Sequence, residues 1–418
     1  MADDKYHLSK DDHDFVYQGI KEEFLAHSVP QESPRAIITG GQPGSGKSRL
    51  QKGATAELAK EGGSVLIDAD ELRTFHPGFE AALKEDDRTA ANRTHQDAGS
   101  WARSLTNDAV MSRRNLVIDQ TSRDPVAFEQ MAKALKEQGY KIELRAMAVN
   151  DRISEQRIFS RYEDQKAEHG HGRFSTKDNH DAAYAGLAKT VAMVEQKRAV
   201  DGLSLYNKDH RQISANTLEQ GDWSRPMTAA QSMTAERTRP LSLEERRELA
   251  EQYTRLAVML AKPERQATPE ERRTIDGLQQ ATAREVEVVA AKVAEFKTVA
   301  ATFEDDGSNY RETLVRQGTV VEVQLRKDEL ATASDERAQA IARADLSDFE
   351  YLQGKPEQLE LAVMIRENLA NDAYKGSLMA EAPADFGHTL DAAQLVADEG
   401  RTLAGPELQN DTDYSHDG

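Results

Sequence analysis

The chain of 418 residues contains no cysteine. Disulfide frameworks and thiolate metal sites are therefore excluded. No stretch approaches the roughly 20 consecutive apolar residues that a membrane-spanning helix needs. The opening "MADDKYHLSKDDHDF" is charged and lacks the apolar run of a signal peptide. These absences predict a cytoplasmic protein with no membrane partner. Positive charge is also scarce: 54 Lys and Arg stand against 73 Asp and Glu, a formal net charge of −19. A general nucleic-acid binder carries a basic face, so nucleic acid is not an expected partner. A local basic pocket for phosphate remains compatible with that total. The length predicts two domains rather than one.

Glycine, by contrast, is concentrated in "AIITGGQPGSGKSRLQ", from Ala36 to Gln51. Gly41, Gln42, Pro43, Gly44, Ser45, Gly46, Lys47 and Ser48 fit the phosphate-binding pattern G-x-x-x-x-G-K-[ST]. Ala36-Ile37-Ile38 before it suits a buried parallel strand. After it, Leu50, Ala54 and Leu58 recur at helical spacing, and Gly62-Gly63 stop the pattern. In a strand–loop–helix context the loop N–H groups and the helix N-terminus hold phosphates. Lys47 then meets the β and γ oxygens of ATP, and Ser48 is the expected ligand of Mg²⁺. The alternative is a flexible Gly-Ser loop with an exposed lysine.

Two further apolar runs, Val65-Leu66-Ile67 and Leu116-Val117-Ile118, end on Asp68-Ala69-Asp70 and Asp119-Gln120-Thr121. Carboxylates just past strand C-termini lie where open α/β sheets place their chemistry. They could hold Mg²⁺ through water, take a proton from an attacking hydroxyl, or cap the next helix. "DPVAFEQMAKALKEQG" reads as a helix capped by Asp124, "KIELRAMAV" as a fourth strand, and a second helix begins near Thr176. Arg161 and Arg173 flank a glycine-containing loop between two helical stretches. Such a flap could bring cations to a transferring phosphoryl group, or the arginines could sit in surface ion pairs.

"ESPRAIITGGQPGSGKS", "VLIDADELRTFHP", "LVIDQTSRD", "SRYED" and "RFSTKDNHD" occur in the order and at the spacing of the zeta toxin family, which the chain resembles over roughly residues 1 to 215. The family consists of P-loop kinases of toxin–antitoxin systems. The resemblance implies an α/β fold with a mostly parallel sheet flanked by helices. It implies ATP with Mg²⁺, an antitoxin protein as partner, and a sugar-nucleotide acceptor, the 3′-hydroxyl of UDP-N-acetylglucosamine. By the same resemblance Lys47 and Ser48 hold ATP and Mg²⁺, and Asp70 is the base on the acceptor hydroxyl. Asp119, Thr121 and Arg123 face the acceptor with Asp70, and Arg161 and Arg173 clamp the phosphates. Two positions depart from the family. Gln120 stands where Glu-Gly-Thr has glycine, and Arg103 falls where a further acidic residue is usual. Both belong to the acceptor side, which keeps NAD or another nucleotide open as acceptor. Another small-molecule P-loop kinase and a non-enzymatic ATP-gated interaction protein are the rival classes.

Beyond about residue 215 the composition shifts. "GDWSRPMTAAQSMTAERTRP" predicts a linker over 216–240. An all-α region is expected over 241–400 and a disordered tail over 401–418. Ser242 with Glu245 and Thr268 with Glu271 fit capping boxes, and Pro269 fits a first helical turn.

Overall fold

The computed structural model describes residues 4–302. The remainder of the expected helical region and the expected tail lie outside the described residues. The chain divides into two compact units, one formed by 1–239 with 255–272, the other by 240–254 with the residues from 273 on.

The first unit is built on a sheet of seven strands: β1 (Arg35–Gly40), β2 (Val65–Ile67), β3 (Leu116–Gln120), β4 (Lys141–Met147), β5 (Gly202–Tyr206), β6 (Gln212–Glu219) and β7 (Asp222–Trp223). Their order is β2-β3-β1-β4-β5-β6-β7. The first five strands are parallel, and β6 and β7 add antiparallel strands at one edge. In register, Thr39 of β1 lies beside Asp119 of β3, so the strand ends that carry the glycine loop and the second carboxylate run are neighbours. The central strands are short apolar runs buried on both faces, as a covered parallel sheet requires.

The helices are α1 (Lys10–Ala26), α2 (Lys47–Leu58), α3 (Ala69–Leu72), α4 (Phe79–Glu85), α5 (Ala90–Arg93), α6 (His95–Met111), α7 (Pro125–Glu137), α8 (Asp151–His169), α9 (Lys177–Lys197), α10 (Ala229–Thr238), α11 (Leu243–Ala261) and α12 (Pro269–Thr302). The expected caps are present. Asp124 accepts from the Val126 and Ala127 amides, and Thr176 accepts from Asn179 N. Asp68 also caps, accepting from Asp70 N at 2.8 Å. The fold is the α/β arrangement expected, a mostly parallel sheet flanked by helices, with helices following it. No helix among the described residues is long and apolar enough to cross a membrane.

The expected linker is corrected by the structure. Residues 216–240 hold the end of β6, all of β7 and α10. Trp223, Ala229 and Met233 join the main hydrophobic core beside Leu187, Val191 and Leu205. The Trp223 indole donates to the Glu195 carbonyl at 2.7 Å. The buried Glu195 carboxylate accepts from the Ala229 and Ala230 amides at the start of α10. Polar composition suggested a linker because the buried apolar residues here are few and widely spaced.

In the second unit Leu243 and Val289 form a small core with Val286 and Ala290 packed on it. The Ser242–Glu245 capping box is made in both directions, and Arg246 Nε donates to Glu285 at 3.2 Å.

Candidate active site

The glycine loop joins β1 to α2, the arrangement required of a phosphate loop. Gly44 has φ +78°, and a Cβ there would come within 2.0 Å of the Ser154 carbonyl oxygen, so the loop can press against α8 only with glycine. Gly46, at φ 91°, stands at the N-cap of α2 with no side-chain cap. The first-turn N–H groups of α2 are therefore not taken up by a capping side chain, which suits an anion. Ser45 Oγ is buried without a hydrogen-bond partner, an orphaned hydroxyl inside the loop. His210, in the β5–β6 turn, sits with Nε2 3.0 Å from the Gly46 carbonyl oxygen. A carbonyl only accepts, so Nε2 carries the proton there.

Lys47 opens α2, and its Nζ lies 3.1 Å from Asp119 Oδ2. Thr39 Oγ1 donates to Asp119 Oδ1 at 2.6 Å, fixing the carboxylate from β1. Asp68 belongs to the same group: burial and the nearby Asp119 and Asp70 charges push its carboxyl above the usual range. Ser48 is exposed in the first turn of α2. Among the described residues no group of three His, Cys, Asp or Glu could hold a metal by itself. Mg²⁺ binds through few protein ligands and keeps phosphate oxygens and waters. The crowded carboxylates of Asp68, Asp70 and Asp119 and the Ser48 hydroxyl in the first turn of α2 are oxygen donors of the kind Mg²⁺ takes.

Asp70, in α3, is paired with Arg73 one turn on and with Arg173 from the segment after α8. Burial alone would raise its pKa; the Arg173 and Arg73 guanidiniums outweigh that and bring it down to about 2. Arg161 lies on α8. The surrounding protein and the neighbouring Arg173 charge both lower its pKa, while Asp70 raises it. The structure thus gathers Lys47, Asp119 and Asp68, and it gathers Asp70, Arg173 and Arg161. Thr121 is half-buried at the end of β3. Arg123 instead donates to Asn179 Oδ1 at 2.9 Å from an exposed position. Arg103 is exposed on α6.

Several residues were not singled out from the sequence. Arg73 stands three residues after Asp70 on one helical turn, a spacing that could have been read. Asp87 gave no signal. Its buried carboxylate accepts from Tyr162 OH at 2.9 Å, Lys166 Nζ at 2.8 Å and Gly172 N at 3.0 Å, anchoring the residue before Arg173. Gln42 is fully buried, with its side chain bonded to the protein interior.

Residues 20–218 match the family model described as zeta toxin. The chain is 26% identical to toxin PezT of Streptococcus pneumoniae over 206 residues, which cover 46% of this chain and 81% of that protein. It is 28% identical to toxin zeta of Enterococcus hirae over 189 residues, 45% of this chain and 65% of the relative. A solved structure from the PezAT toxin–antitoxin system of S. pneumoniae superposes with a TM-score of 0.53 at 21% identity. It covers 62% of this chain and all of the matched one, a likeness of fold. Residues 20–218 are thus the part of the chain that is similar to the zeta toxin family.

Proposed function

We propose that the chain is an ATP-dependent small-molecule kinase, transferring the γ-phosphate of ATP to a hydroxyl of a sugar nucleotide, with the 3′-hydroxyl of UDP-N-acetylglucosamine as first acceptor. The observation that carries this reading is the placement of Asp70 between Arg73 and Arg173, in a site whose Lys47 opens the helix after the phosphate loop. The loop amides and Lys47 hold the triphosphate. Ser48, with Asp68 and Asp119, would hold Mg²⁺, which when bound would neutralise charge on the phosphates.

In the free protein Arg173 sits on Asp70, which keeps the carboxylate ionised and a weak base. A bound γ-phosphate competes for Arg173. As the guanidinium shifts to phosphate, the Asp70 pKa rises and the carboxylate becomes available to the acceptor hydroxyl. The acceptor oxygen then bonds to the γ-phosphorus and its proton passes to Asp70. The bond from the γ-phosphorus to the bridging oxygen breaks, and ADP leaves. Lys47, Arg161 and Arg173 offset the negative charge on the transferring group. Consumption of a cell-wall precursor would make the enzyme a toxin in the cytoplasm, and an antitoxin would be its protein partner.

Gln120 and Arg103 favour a second acceptor, NAD or another nucleotide, since both depart from the family on the acceptor side. The test is mass spectrometry of a metabolite extract incubated with the protein and ATP-Mg²⁺. A phosphorylated UDP-N-acetylglucosamine supports the first acceptor. Labelling of NAD with UDP-N-acetylglucosamine untouched decides for the second. ATP consumption that no acceptor stimulates would overturn the kinase reading.

A further inference from the structure

Arg237 lies in α10, outside the family-matched residues 20–218 and 195 residues beyond Gln42 of the phosphate loop. Its side chain nevertheless reaches that loop. Arg237 Nη2 donates to Gln42 Oε1 at 2.9 Å, and Nη1 donates to the Tyr184 carbonyl at 2.7 Å. The guanidinium carbon stands 4.1 Å from the Tyr184 ring centroid. The Arg237 carbonyl in turn accepts from Asn150 Nδ2 at 3.0 Å. Gln42, with no exposed surface, completes the link by donating Nε2 to the Val149 carbonyl at 2.9 Å and to Ser154 Oγ at 3.1 Å. Both the amide nitrogen and the amide oxygen of Gln42 are thereby engaged.

Arg237 is only 3% exposed, and no carboxylate makes a direct ion pair with it among the described residues, although the Asp151 charge acts on it from further off. Its Nε has no hydrogen-bond partner. Burial lowers its pKa to about 10, which still leaves it charged at neutral pH. A buried cation without a counter-ion is costly to hold. Two features of arginine use that position: a rigid fork that spans two acceptors, and a permanent charge with no carboxylate in direct contact.

We infer that Arg237 is a positioning residue of the nucleotide site. It fixes Gln42, and through Gln42 the backbone of the phosphate loop, in the form that accepts a polyphosphate. Its charge adds to the positive field at that loop. The inference rests on the nucleotide reading of the loop given above. It places part of the nucleotide site's support in α10, a helix beyond the family-matched residues.

The experiment measures binding of a fluorescent N-methylanthraniloyl ATP, the KM for ATP and kcat in R237M, R237K, Q42A and the R237M/Q42A double variant, with thermal unfolding of each. R237M is expected to raise Kd and KM about tenfold while kcat at saturating ATP changes less than about threefold. R237K keeps the charge without the fork and falls between it and the wild type. Q42A weakens binding by a similar factor, and the double variant is no worse than either single one, because both remove the same link. A wild type that binds the probe while R237M and R237K bind it equally well overturns the assignment alone. Effects that multiply in the double variant, or losses that only follow the folded fraction, overturn it too. If R237M does not fold, R237K and Q42A decide by the same readings. A wild type that binds no nucleotide overturns the nucleotide reading, and the assignment with it.

Discussion

The region between Gly41 and Arg173 and the segments 222–239 and 255–271 serve one unit in different ways. The first region holds the charged groups of the site in short motifs, with Lys47 on Asp119 and Asp70 on Arg173. The second contributes no group to those pairs. It supplies Trp223 and Met233 to the core and Arg237 to the phosphate loop. It also supplies Arg265 and Glu271 to α8. There Arg265 donates to both oxygens of buried Glu163, at 2.6 and 2.9 Å, and to Glu271 at 2.8 Å. Arg88 also reaches Glu271, at 2.9 Å, while its guanidinium carbon stands 4.7 Å from the Phe174 ring centroid. The helix braced this way carries Arg161. Chemistry is compact in the sequence, and the support for it is spread along the chain.

The sharpest way to break this comparison is to cut the chain. A protein ending at residue 215 loses Trp223, Ala229 and Met233 from the core and leaves the Glu195 carboxylate without its two amide donors. Each large buried side chain lost costs about 3–5 kcal/mol, against a total stability of about 5–15 kcal/mol for a typical domain. Calorimetry should show no cooperative transition for the chain ending at 215 and a clear one for a chain ending at 272. A cooperative melt of the shorter protein, close to that of the full chain, would make the distal region dispensable.

Next in size is Lys47→Ala, which removes a cation from the phosphate loop and leaves Asp119 without its lysine. Turnover should fall by at least about two orders of magnitude in a coupled ADP-release assay, with the melting curve little changed. Wild-type turnover would mean that the loop is not the active site.

Asp70→Asn keeps the size of the side chain and removes the proton acceptor. Nucleotide binding should persist while transfer drops about 10²- to 10⁴-fold. The pH dependence follows from the folded pKa of about 2, below the ordinary carboxylate value. A depressed carboxylate adds stability above its unfolded pKa and loses it as pH falls towards the folded value. Acid titration should therefore find Asp70 in the free protein ionised well below pH 4, by carboxyl NMR. A free-protein Asp70 that titrates near 4 or above would sink its pairing with Arg173 and Arg73.

How much was legible follows the same division. The glycine loop could be read because phosphate binding needs those residue types at that spacing. The roles expected of Asp70, Asp119, Arg161 and Arg173 came from the family resemblance, and the structure brings Lys47 to Asp119 and Asp70 to Arg173. The helix caps at Asp124, Thr176, Ser242 and Thr268 could be read because capping is local. The strands β5 and β6 and the helix α10 were not read, since their apolar residues are sparse and their partners lie far off in sequence. Gln42 could be read as part of the loop; that its side chain is held by Arg237 could not. No local pattern marks a buried hydrogen bond across 195 residues.

The smallest expected effect on activity tests the brace on α8. Glu271 is held by the Thr268 amide in its capping box, by Arg265 and by Arg88. Burial would raise its pKa, but these contacts win and lower it to about 2. Its side chain is 11% exposed, so solvent screens the cluster only in part. A shift of about two units below the ordinary glutamate value corresponds to stability on the order of 3 kcal/mol at neutral pH. Glu271→Gln keeps the shape and an acceptor oxygen while removing the charge. The variant should melt several degrees lower at pH 7, with kcat reduced only about two- to fivefold because Arg161 is loosened rather than lost. The sign of the pH effect is fixed. The carboxylate contributes fully above its unfolded pKa, so the gap between wild type and variant should be constant above about pH 5 and close as pH falls towards 2. A gap that stays open at pH 2–3, or that widens there, would mean that charge is not what Glu271 brings to the cluster. If the gap closes as expected and kcat is untouched, the 255–272 segment stabilises α8 without helping to place its arginine.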